Sequence, residues 1–176
     1  MASDHVALPD ALRSSSVVAA ERERELIAVL EDIVGTEALM LVFNDEVDRA
    51  FDGTSDREVA LDRIGRAAGT GAGGLLDRRP RIVARTAGAE VAGVREAYLP
   101  HLDSWVSYLE AVADQPELLL RTDDLQPYIL RINATAEVFR LALEELLAAG
   151  PPAAAAELAE RILDDGFRSD GPDPTL

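Results

Sequence analysis

Apolar residues recur along this chain at intervals of three and four, the spacing that lines one side of an α-helix. No alternating β-branched run supports a strand. Ser16 is placed to cap a first helix to Val34, with the stripe Leu26, Ile27, Leu30, Ile33, Val34, and Gly35 is expected to stop it. Thr36 then opens a second, with Leu39, Met40, Phe43, Val47, Ala50 and Phe51 on one side and Gly53 at its end. Ser55 and Glu58 have the spacing of a capping box, opening a third helix through Leu61 and Ile64 to Ala68. Pro80 suits the first turn of a fourth, whose face is Val83, Ala87, Val91, Val94 and Tyr98. Pro100 kinks that helix or begins a fifth, which runs to about Ala113.

After a short apolar segment, Leu118 to Leu120, Asp124 is placed to cap the longest helix, Leu125 to about Ala149. Gly150-Pro151-Pro152 ends it, and a last helix covers about Ala153 to Asp165. The fold class expected is all-α: one helical bundle of about six to seven helices over residues 16–165, with one long central helix. Residues 1–15 form an N-terminal arm and residues 166–176 a loose acidic tail in this reading.

Two of these helices are apolar on more than one side. In the longest, Leu125, Tyr128, Ile129, Ile132, Ala136, Phe139, Leu143, Leu146 and Leu147 share a face, while Leu130, Ala134, Val138 and Leu141 share the opposite one. In the fifth, His101, Trp105, Tyr108 and Val112 flank the face of Leu102, Val106 and Leu109. Such a helix is either central in its bundle or divided between the core and a partner. The partner alternative makes Trp105, Tyr108, Leu130, Val138 and Leu141 an interface, and the chain a homodimer or the partner of another protein.

Composition narrows the chemistry. The chain has no cysteine, which excludes disulfides and thiolate ligands, and only two histidines, His5 and His101. All 17 basic residues are arginine, so a P-loop lysine and a Schiff base are impossible. Asp plus Glu number 33, for a net charge of −16. An acidic, lysine-free composition is expected of a salt-loving organism, because molar salt cuts the screening length to about 3 Å and suppresses self-repulsion. It disfavours nucleic-acid binding, since no basic surface is available for phosphates. "MASDHVALPD" lacks a signal peptide's basic and apolar regions, and no segment has the length of a membrane span. A cytoplasmic protein without membrane contact is expected.

"GTGAGG", Gly69 to Gly74, has the G-x-G-x-x-G spacing of a dinucleotide loop. Such a loop must follow a strand and open a helix. The preceding "ALDRIGRAA" reads as helix, so the glycines are read as a flexible link between the third and fourth helices. Directly after them, Arg78, Arg79, Arg81 and Arg85 form the densest basic cluster. Arg78, Arg79 and Arg81 are candidate ligands for an anion, since guanidinium groups grip phosphate with paired hydrogen bonds. Asp45 and Asp48, with Asp52 one turn on, lie along one helix side and are candidate Mg²⁺ ligands; opposite the apolar stripe, they also read as a solvated acidic face.

"GGLLDRRPR" together with the N-D-x-x-D of Asn44, Asp45 and Asp48 resembles all-α enzymes acting on isoprenoid diphosphates, which use a basic GG-x-R-x-R-P-like segment and two aspartate-rich motifs. The likeness covers few residues, lacks the lysine, and places its aspartates before the basic segment rather than after it. Arg95 and His101 resemble the Arg-x(4–6)-His motif of HEPN-type ribonucleases, small all-α dimers. That resemblance makes His101 the acid/base and Arg95 the phosphate ligand, and requires Pro100 to break the helix, because six residues of unbroken helix separate the two by about 240°. The Asn133-Ala134-Thr135 sequon lies mid-helix, and Ser104 and Ser107 lack a nucleophile elbow. With no catalytic motif satisfied, the leading expectation is a non-enzymatic bundle acting through protein contacts. The alternatives are a Mg²⁺-dependent enzyme or binding protein for a phosphorylated ligand, and a HEPN-type ribonuclease.

Overall fold

A computed structural model describes residues 10–52, 56–86 and 88–167. They form five α-helices and a short 3₁₀ helix, with no strand among them. α1 is Asp10–Asp52, α2 Arg57–Val83, α3 Ala89–Asp114, α4 Thr122–Ala148 and α5 Ala153–Phe167; the 3₁₀ turn, Pro116–Leu120, joins α3 to α4. The all-α class expected from the apolar spacing is present, with fewer and longer helices than the sequence suggested.

Two expected breaks are helix interior. Gly35 and Thr36 lie inside α1, which runs through both as a 43-residue helix. Thr36 looked like a cap, but its hydroxyl donates back to the Asp32 carbonyl at 2.7 Å and is fully buried. Gly35 is small because the guanidinium of Arg78 lies where a Cβ would stand. The "GTGAGG" segment is likewise not a link: α2 passes straight through it and through Pro80 in its last turn. Its glycines bring neighbouring helices close. A Cβ on Gly71 would stand 3.2 Å from Leu109 of α3, and one on Gly74 would stand 3.1 Å from Leu39 of α1. The N-cap of α2 is Asp56, whose carboxylate accepts from the Glu58 and Val59 amides; Ser55 and Gly53 fall outside the described residues.

Two glycines of α2 differ sharply in surroundings. At Gly73 a Cβ meets nothing within 4 Å, whereas at Gly65 it would stand 2.7 Å from the Pro116 ring. Gly73→Ala should therefore stabilise the fold by about 0.5–1 kcal/mol through helix propensity alone. Gly65→Ala should destabilise it, since a proline ring cannot swing aside. Urea unfolding of both variants checks this, and equal effects would remove the packing explanation.

From α1 to α4, successive helices run antiparallel. Arg63 of α2 meets Glu46 of α1, and Arg85 meets Asp32 and Glu25. Arg79 meets Asp103 of α3, and Tyr108 of α3 meets Tyr128 of α4. α3 is the central element, packed between α2 and α4 and touching α1 as well. Ten of its residues are buried, on several sides, from Val91 to Val112. The long helix expected at the centre, α4, is instead peripheral: its backbone packs on α3, α5 and the 3₁₀ turn and does not come close to that of α1 or α2. α5 closes the bundle against α1. Residues 16–24 of α1 are exposed throughout. Helix begins before residue 16 and continues past residue 165.

Candidate functional site

The residues proposed for phosphate and metal do not gather. Arg78 turns inward toward Gly35 of α1, Arg79 clamps Asp103 of α3 with bonds of 2.8 and 3.1 Å, and Arg81 is exposed. The three guanidinium groups thus diverge toward three surroundings. Asp45 is exposed and paired with Arg49 at 3.4 Å, and Asp48 is exposed on the same helix. The register that sets Glu46 against Arg63 and Gly35 against Arg78 places Asp45 about ten residues of helix, roughly 15 Å, from Arg78. Among the described residues no three His, Asp or Glu side chains cluster as a metal site. Asp62, on the next helix, is held by Arg66 at 2.7 Å.

Arg95 and His101 do not converge either. α3 is continuous through Pro100, so the two point apart. Arg95 donates to the Arg85 carbonyl at 2.6 Å, while His101 is 4% exposed inside the core. His5 lies outside the described residues.

His101 belongs instead to a largely buried polar cluster where α1, α3 and α4 meet, in which the Glu37 side chain keeps 14% exposure. Its Nδ1 lies 3.4 Å from the Thr135 hydroxyl and its Nε2 3.9 Å from Glu37. Tyr98 donates to the Glu37 carboxylate at 2.8 Å. The Thr135 hydroxyl also reaches Ser104, at 3.4 Å. Phe139 covers the cluster, with its ring 4.8 Å from Tyr98 and stacked on His101 at 6.3 Å. Burial pushes the Glu37 carboxyl up to about 7, opposed by the Tyr98 hydrogen bond, and pushes His101 down to about 4. Tyr98 is held well above the usual phenol range by burial and by Glu37. Glu37 and His101 therefore tend to be neutral together. All buried polar side-chain atoms among the described residues have partners. The signal for this cluster was a carboxylate at a core position, Glu37 falling between Ile33 and Met40 in a helical stripe.

Two shallow grooves mark the surface. One, about 440 Å³, is bounded by Arg57, Glu58, Leu61, Asp62, Pro116 and Glu117. The other, about 390 Å³, runs along Gly69, Gly73 and Leu76 opposite Glu110 and Ala113. Neither groove is bounded by a residue of the polar cluster.

The proposed interface residues separate into two groups. Tyr108 is 7% exposed, packed edge-on against Phe43 and Trp105, and Trp105 is half-buried against the core. Both serve the inside of the bundle. Leu130, Val138 and Leu141 stand on the outer face of α4, 60%, 56% and 47% exposed. Ala134 is exposed between them. A row of apolar side chains on one helix face differs from the single exposed residues that any surface carries. No protein family, characterised protein or solved structure matches this chain. No described helix is long and apolar enough to cross a membrane.

Proposed function

We propose that this chain is a non-enzymatic helical bundle that acts through protein–protein contact, with the outer face of α4 as its contact surface. The observation that carries the reading is the row Leu130, Ala134, Val138, Leu141, left open to water on a helix whose other side already fills the core. A helix face of this kind docks onto a second apolar helix through anchors at three- and four-residue intervals. The acidic surface supports a salt-rich cytoplasm as the working environment, where screened charge leaves apolar contact as the main attraction.

Leu141→Glu tests the surface. The side chain is nearly half exposed, so folding stability should change by no more than about 0.5 kcal/mol. Association should be lost, because a carboxylate within the apolar row would have to be buried without a partner. Immobilised wild type and variant are compared for what they retain from a high-salt native extract, a second copy of the chain included. Equal retention by the two proteins would remove α4 as the contact surface.

A further inference from the structure

Most charged side chains along α4 have a partner in the chain. Arg140 is bound by both Glu137 and Glu144, and Arg121 reaches Asp124. Two outward charges beside the apolar row have no ion pair among the described residues: Arg131 and Glu145. Each lies seven residues from Val138, on opposite sides of it. Seven residues are close to two helical turns, so both stand within about 20° of the Val138 direction and about 10 Å from it along the axis. Opposite charges equidistant from a central apolar residue are self-complementary under a two-fold rotation.

We propose that α4 pairs antiparallel with α4 of a second copy, with the two-fold axis passing at Val138. This inference rests on the contact reading of the α4 face and names its occupant. The rotation sets Arg131 against Glu145 of the second copy, and Glu145 against its Arg131. Ala134 and Ala142 come opposite each other, and these small residues let the helices approach while Leu141 and Leu130 fill the flanks. The surface is isologous, as a closed dimer requires. Each copy carries −16, so the pair forms where salt screens their long-range repulsion while the contact pairs survive.

The chain lacks cysteine, so a single introduced thiol reports on geometry without interference. In about 0.5 M KCl, where the screening length is about 4 Å, sedimentation equilibrium should show a wild-type dimer. Val138→Cys should oxidise to a disulfide-linked dimer, since the axis brings the two thiols together. Ala134→Cys should not, because its two copies are offset by about 12 Å along the antiparallel axis. Arg131→Glu should raise the dimer Kd about tenfold by creating two like-charge contacts. The double variant Arg131→Glu/Glu145→Arg should restore it to near wild type.

A wild type monomeric at about 1 mM overturns the inference, and so does Ala134→Cys cross-linking as readily as Val138→Cys, which marks a parallel pair. A dimer lost in Leu141→Glu, but not rescued by the charge swap, overturns the two-fold and keeps the contact face. A dimer indifferent to Leu141→Glu overturns both.

Discussion

Glu37→Gln should gain stability over the wild type as pH rises, by about 3 kcal/mol between pH 4.5 and 7. The sign follows from which protonation state each fold prefers. With its folded-state pKa raised to about 7, Glu37 contributes no penalty below pH 4.5 and destabilises the fold as pH rises through 7, when a buried carboxyl must ionise. The shift of about 2.5 units corresponds to roughly 3 kcal/mol. Glutamine keeps a group able to accept from Tyr98 and has no charge to bury. His101 works in the other direction. Its folded pKa is lowered to about 4, so its contribution is full above pH 6.5 and is lost as pH falls through 4. In the wild type the two terms oppose each other between about pH 4.5 and 6.5, and in Glu37→Gln the histidine term stands alone. The groups facing Glu37 are Tyr98 and His101 from α3, with Thr36 of α1 and Arg78 of α2 close enough to act on Tyr98. Urea midpoints of both proteins from pH 4 to 8 give the difference directly, and the acids common to both, all of the 33 except Glu37, largely cancel. A difference that stays flat would mean that Glu37 is ionised throughout, held by Arg78.

The sequence made the helices legible but not their joins. Apolar spacing found α4 and α5 to within a few residues and the end of α3 at Gln115-Pro116, but it began α3 at Pro80, carrying it through the break that follows Val83, and left a division open at Pro100. It divided α1 at Gly35-Thr36 and α2 at the glycines, where residues that usually end helices were serving tertiary packing. Gly35 makes room for Arg78, Gly71 and Gly74 for neighbouring leucines, and none of these neighbours is close in sequence. The candidate anion ligands separate for a related reason. Arg78, Arg79 and Arg81 are adjacent in sequence, but successive helical residues point about 100° apart and each found a separate environment. The double apolar faces of α3 and α4 gave the same signal with different outcomes. α3 buries its several sides between α2 and α4, whereas α4 keeps an open one, and only the packing order distinguishes them.

Phe139→Ala should destabilise the fold by about 3–5 kcal/mol, the largest effect expected of any single truncation on α4. Phe139 is fully buried, and its ring touches both Tyr98 and His101. Removing it opens a cavity against the polar cluster and admits water beside groups that are neutral because water is excluded. The loss should therefore come with a second sign: His101 should titrate closer to its ordinary 6.5 in the variant, readable by NMR of the imidazole. Leu141 lies two residues on, a displacement of about 200° around the helix. Truncating one residue should cost the core, and charging the other should cost only association, although both are large apolar residues on one helix. A Phe139→Ala protein as stable as wild type, with His101 unmoved, would show that the ring is not the cover over the cluster. If Phe139→Ala and Leu141→Glu instead destabilised the monomer equally, the outer face of α4 would be part of the core rather than a surface held open for a partner.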